Sequence, residues 1–255
     1  MSVSEKTAKS EGENSTFECL ETEEIILEKK RKKKEKRRLY RSKKRAIEEP
    51  YMPETVSFLS AAIQADYVEK KIREVYMNYS SLELEDMRMS EKYFFETCWT
   101  GGWNLEHLSK FLEIGIGYDP RYIPSPCGSP HTIILAMAAL RVADITRSLR
   151  SYKTKDGDVA KLFAKHIKLK DHINYLSRTR LTIAVGTPGR ILDLINCDSL
   201  KVDFLNWIIL DTTYNDVKKR KFWDMPECWR AMIKLITTDP LKTMLKKGSV
   251  KIVYY

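Results

Sequence analysis

An apolar, partly β-branched run, Leu181-Thr182-Ile183-Ala184-Val185, turns through Gly186-Thr187-Pro188-Gly189-Arg190 into Ile191, Leu192, Leu194 and Ile195, which recur at helical spacing. That order predicts a buried strand, a tight turn and a helix, and it restricts the chain to folds in which strands and helices alternate. Thr187 suits the N-cap and Pro188 the first helical position, where a missing N–H costs nothing. Gly189 lets a ligand approach the free N–H groups of the first turn, and Arg190 adds a charged fork beside them. The residue types therefore suit a phosphate, although an ordinary helix start uses the same ones.

The alternation recurs on both sides of this unit. Residues 133–138 read as a strand leading to a helix through Leu149, and residues 159–164 as a strand leading to a helix around 171–176. Residues 205–211 form another apolar run, ending in Asp211. Met225-Pro226-Glu227 then opens a helix carrying Trp229, Met232, Ile233 and Ile236, and residues 250–255 read as a final strand. Apolar strands alternating with helices imply right-handed crossovers and a parallel sheet covered on both faces. Ligands of such sheets sit beyond the carboxyl ends of the strands. Lys165, His166, Lys168, Thr187, Gly189, Arg190 and Asp211 are all expected along that edge, with Lys170 and Arg190 completing a basic rim.

Upstream, Val56, Phe58, Leu59, Ala62, Ile63, Tyr67, Val68, Ile72, Val75, Tyr76 and Tyr79 form a helical stripe whose aromatic members belong to the core. Shorter helices are predicted over 87–99 and 105–114, around Gly101-Gly102. Residues 115–130, with four prolines, read as a loop.

At 255 residues and 43% hydrophobic content, the chain can bury one sizeable core. The expected division is a tail over 1–50 and a single domain over 51–255. No long apolar run exists and the start is polar and acidic, which predicts a soluble, non-secreted protein. Five cysteines, an odd number without a Cys-x-x-Cys pair, fit a reducing compartment. His107, His131, His166 and His172 show no ligand spacing.

The net charge of +10 comes from one segment: residues 29–45 hold thirteen Lys and Arg against Glu35 alone. Residues 1–28 carry eight Glu against Lys6 and Lys9 with few large apolar groups, and are expected to stay disordered. The basic run, including Lys32, Lys33, Lys34, Arg37 and Arg38, fits an import signal and also an arm that binds RNA by counterion release. One run can serve both purposes.

The order strand, Gly-Thr-Pro-Gly-Arg, helix, strand, Asp resembles the first RecA-like lobe of DEAD-box RNA helicases. In that family the Thr-Pro-Gly-Arg turn grips RNA and the Asp opens the acidic motif that holds Mg-ATP. The resemblance stops at the ATP residues. No Gly-x-x-x-x-Gly-Lys-[Ser/Thr] occurs, so the nest of N–H groups that cradles phosphates is missing. The acidic motif reads Asp211-Thr212-Thr213-Tyr214, Lys165-His166 stands where a glycine doublet is expected, and residues 134–139 lack the RNA-contacting arginine.

Retained scaffold with lost ATP residues is similar to the Cms family of small-ribosomal-subunit assembly proteins. The matching residues are 161–168, 185–191, Asp211, Asp216, Lys218 and Arg220, with weaker support from 82–87 and 147–149. The resemblance implies an α/β fold with a single RecA-like parallel sheet, helices on both faces, a preceding helical segment and a disordered N-terminal tail. It also implies a nuclear and nucleolar factor whose partners are ribosomal RNA precursor and small-subunit pre-ribosome proteins, with no membrane. The expectation is a non-catalytic assembly factor with no cofactor, metal or nucleotide. Its RNA-binding candidates are Thr187, Gly189, Arg190, Lys165, His166, Lys168 and the arm residues Lys32, Lys33, Lys34, Arg37 and Arg38. The alternatives are an ATP-dependent helicase fragment, a nuclease using Asp211 and Asp216, and a nuclear adaptor that binds only proteins.

Overall fold

The computed structural model describes residues 60–255 apart from Pro120, together with Glu28, Arg31, Lys32 and Glu35. The chain divides into two units, Met1–Glu49 and Pro50–Tyr255. In the first, the four described residues are helical and Lys32 Nζ lies 2.8 Å from the Glu28 carboxylate. Lys33, Lys34, Arg37 and Arg38, the acidic stretch 1–27 and the predicted helix start before residue 60 lie outside the described residues.

The second unit begins with helices α1 (Ala61–Val75) and α2 (Ser81–Asp86), then a short α3 (Leu108–Lys110) that runs on as a π-helical turn, Phe111–Gly115. The alternating part follows as β1 (Thr132–Leu135), α4 (Ala139–Ser148), β2 (Asp158–Leu162), α5 (Leu169–Leu176), β3 (Leu181–Gly186), α6 (Pro188–Asn196) and β4 (Trp207–Leu210). It closes with α7 (Pro226–Thr237), α8 (Leu241–Lys247) and β5 (Lys251–Tyr254). The five strands form one sheet in the order β2-β3-β1-β4-β5, every pair parallel. This is the α/β architecture that the alternation predicts.

Successive strand residues point to opposite faces, and here each face has its own core. Ile133, Leu135, Ile208, Leu210, Ile252 and Tyr254 pack with Val68 and Ile72 of α1, Ile191 and Leu194 of α6, and Met232 and Ile236 of α7. Ile134, Ile209 and Val253 pack on the other side with Val142 and Ile145 of α4 and with Leu108, Phe111 and Leu112. Burying one such side chain contributes about 1.5–3 kcal/mol, so a one-residue slip that moved every strand side chain to the wrong core is strongly disfavoured.

Two predicted elements differ and one helix was not predicted. The helix expected over 87–99 is absent. Ser80 and Glu83 form a reciprocal capping box that starts α2 earlier, and α2 ends at Asp86. Downstream, Phe94 pairs in parallel with Ile252 and Phe95 N donates to Ile252 O at 2.9 Å, which covers the outer edge of β5. The helix expected from residue 105 starts only at Leu108, because the Asn104 side chain turns the chain by accepting the N–H groups of Glu106 and His107. Finally, α8 interrupts the stretch between α7 and β5: Pro240 begins it and Gly248, at φ 75°, ends it.

Candidate functional site

Because all strands run the same way, their carboxyl ends share one edge, and the exits of β2, β3 and β4 carry the candidate residues. The β3 exit requires glycine: a Cβ on Gly186 would lie 2.7 Å from the Leu162 carbonyl oxygen and 2.7 Å from the Ile191 side chain. Thr187 occupies the N-cap of α6 with extended backbone, and its carbonyl accepts from Ile191 N at 3.1 Å. Its N–H donates to Leu162 O at 3.0 Å, tying the turn to the end of β2. The expected side-chain cap is not made. Backbone bonds and Pro188 set the helix start, so the Thr187 hydroxyl is not needed for it. The space above Gly189 is open, with nothing within 4 Å of where a Cβ would stand.

Arg190 corrects the sequence reading most. Instead of presenting its guanidinium at the surface, it is 7% exposed and turned inward. Nη1 and Nη2 donate to Ile167 O at 3.2 and 3.1 Å, and Nη1 lies 2.7 Å from His172 Nδ1. Arg190 therefore does not join the expected basic rim; it pins the loop that leaves β2. His172, on the buried face of α5, accepts this bond, so its Nδ1 carries no proton. Burial, helped by the neighbouring Arg190 charge, holds its pKa below the ordinary value. Sequence reasoning missed His172, since its partner lies 18 residues away in an element whose packing only the fold sets.

The loop that Arg190 holds displays two lysines and a histidine. Lys165, His166 and Lys168 are exposed, and His166 takes a left-handed backbone at φ 68°. The bonds from Thr187 N to Leu162 O and from Arg190 to Ile167 O place this loop next to the first turn of α6, where Thr187 and Gly189 are half-buried. The fold thus brings Lys165, His166, Lys168, Thr187 and Gly189 together on one stretch of the edge, with Arg190 beneath them.

At the β4 exit, Asp211 is 1% exposed and paired with Arg141, which is 5% exposed. Arg141 Nε donates to Oδ2 at 2.6 Å and Nη2 to Oδ1 at 3.2 Å, while Nη2 also donates to Thr213 Oγ1 at 2.7 Å. Thr213 Oγ1 donates in turn to Asp211 Oδ1 at 2.7 Å, and the Arg141 guanidinium lies 5.4 Å from the Tyr214 ring centre. Arg141 lies in the first turn of α4, the helix that follows β1, the strand next to β4. An arginine in the first turn of a helix leaving the neighbouring strand was the available signal, and its role was not read.

Asp216 is occupied too, bonded to Arg220 at 2.7 and 2.9 Å. The two carboxylates proposed for a nuclease are thus each committed to an arginine. Among the described residues, no group of three or more His, Cys, Asp or Glu is placed to hold a metal ion. Among the same residues, no helix is long and apolar enough to cross a membrane.

The family model of CMS1, the U3-containing 90S pre-ribosomal complex subunit, matches residues 4–255. Protein CMS1 of Chaetomium thermophilum is 36% identical over 206 residues, covering 77% of this chain and 80% of that protein. Protein cms1 of Schizosaccharomyces pombe is 26% identical over 196 residues, with 75% and 68% covered. Protein CMSS1 of Homo sapiens is 29% identical over 177 residues, with 67% and 60% covered. A DEAD box protein from Methanococcus jannaschii is similar in structure, with a TM-score of 0.37 and 16% identity over 78% of this chain and 47% of that one. With its parallel α/β lobe and a match along nearly its whole length, this chain belongs to the CMS1 family, that of the U3-containing 90S pre-ribosomal complex subunit.

Proposed function

We propose that this protein is a non-catalytic assembly factor of the early small-subunit pre-ribosome. In this reading it acts in the nucleolus, binding ribosomal RNA precursor through the basic arm and the β2–β3 edge, and pre-ribosome proteins through the rest of the lobe. The observation that carries the reading is the distribution of charge along the carboxyl edge. The acid at the β4 exit is spent on a buried arginine, while the side chains displayed at the β2 exit are Lys165, His166 and Lys168. An edge so arranged attracts phosphates and has no free carboxylate at Asp211 for Mg-ATP. Static binding follows from the same features, since no phosphate-cradling loop is present in the sequence to drive a cycle.

The test is ultraviolet crosslinking of the tagged protein in cells, followed by sequencing of the bound RNA, for wild type and for Lys165→Glu/Lys168→Glu. Enrichment of small-subunit precursor RNA that falls in the variant is expected. RNA recovery equal in both, with normal sedimentation with pre-ribosomes, would return the lobe to a protein-only adaptor. RNA-stimulated ATP hydrolysis by the purified protein would instead favour the enzyme.

A further inference from the structure

The loop leaving β4 is a second basic element of the same edge, and Asp216 organises it from within. Asp216 Oδ1 accepts the N–H groups of Lys218 and Arg220 at 2.7 and 2.9 Å, and Oδ2 accepts Arg220 Nη2 and Nε at 2.7 and 2.9 Å. The Asp216 N–H donates to Arg220 O at 3.0 Å, and its carbonyl accepts from Lys219 N at 2.9 Å. Lys219 is thereby held at φ 59°, a left-handed conformation unfavourable for a residue with a Cβ. Outside this knot, Val217 is 88% exposed, and Lys218 and Lys219 are exposed with no ion pair to any described residue.

The β2 exit repeats the design. There too a basic residue, His166, has positive φ, and there too an internal charged group, Arg190, fixes the loop while lysines face outward. β2 and β4 are separated by three steps of the sheet, about 14 Å at the usual strand spacing. A nucleic acid strand of a few nucleotides spans that separation, so one strand can reach both exits. The acid at the β4 exit, Asp211, is buried and neutralised by Arg141.

We propose that the loops 163–168 and 214–221 are two grips of one track for single-stranded RNA across the carboxyl edge. Lys218 and Lys219 meet phosphates a few nucleotides from those met by Lys165 and Lys168. The proposal rests on reading the β2–β3 edge as an RNA surface. Lys218 and Lys219 dominate the exposed chemistry of the second loop, which favours a polyanion over a protein socket for Val217.

The experiment uses the full-length protein with a twelve-nucleotide oligouridine carrying 4-thiouridine at each position, crosslinked and mapped by mass spectrometry, with affinity titrated against salt. Crosslinks on both loops are expected. In Lys218→Ala/Lys219→Ala those on 214–221 are lost, those on 163–168 persist, and the log–log salt slope falls by about 1.4, two phosphates at about 0.7 each. Crosslinks on 163–168 with none on 214–221, or an unchanged slope in the double variant, overturn the track and leave the β2–β3 reading standing. Crosslinks confined to 29–45 overturn both. A loop 214–221 that gives no RNA crosslinks, in a protein whose Val217→Asp variant loses recruitment to pre-ribosomes, is assigned to a protein partner, which overturns the proposal.

Discussion

The Arg190 guanidinium holds the Ile167 carbonyl with two nitrogens, at 3.1 and 3.2 Å, and so ties the first turn of α6 to the loop that leaves β2. The arginine of the Thr-Pro-Gly-Arg turn is therefore a strut under the basic loop. Removing it leaves Ile167 O and His172 Nδ1 without their donor in a buried setting. Arg190→Ala is expected to cost about 2–3 kcal/mol of stability, or about 5–10 °C in Tm, and to weaken RNA binding by releasing the loop. Urea and thermal denaturation check the first part. A variant as stable as wild type would show that the strut carries no load.

His172 makes stability depend on pH. Its folded pKa lies below its ordinary value of 6.5, first because burial disfavours the imidazolium and then because Arg190 stands beside it. Below pH 6.5 the unfolded chain takes up a proton that the folded chain refuses, so stability falls with pH until the folded pKa is reached, by up to about 1.4 kcal/mol per pH unit. His131, also depressed by burial, adds to the same trend. In His172→Gln, whose amide oxygen can still accept from Arg190, denaturation midpoints measured from pH 7.5 to 5.5 should decline less steeply than in wild type. Parallel curves for the two proteins would rule out His172 as a source of this dependence.

The Arg141–Asp211 pair behaves as a unit because both groups are buried. Arg141→Met strands a carboxylate and should cost about 3–5 kcal/mol, whereas Arg141→Met combined with Asp211→Leu should recover much of that loss. A double-mutant cycle by urea denaturation measures the coupling. Additive losses would mean that each side chain is satisfied independently.

Deleting residues 1–50 should remove the basic run 29–45 and flatten the salt dependence of RNA affinity by about 0.7 of a log–log unit per lost phosphate contact. Circular dichroism should show the lobe still folded. An unchanged slope assigns the arm to import or to protein contacts.

Much of the lobe was legible in the sequence because its evidence is local. Apolar β-branched runs such as Leu181-Thr182-Ile183-Ala184-Val185, and helical stripes such as Ile191, Leu192, Leu194 and Ile195, declare their elements by spacing alone. Thr187-Pro188 placed the start of α6, since Pro188 suits only the first turn. The direction in which a side chain points was not legible. Arg190 reads as a phosphate-facing charge and Arg141 carries no local signal of a partner, yet both are buried, because the groups that bind them, Ile167, His172 and Asp211, lie 18 to 70 residues away. The same holds for Phe94 and Phe95: helical by local pattern, they lie along the edge of β5, since only the assembled sheet offers the unpaired backbone groups that hold them there.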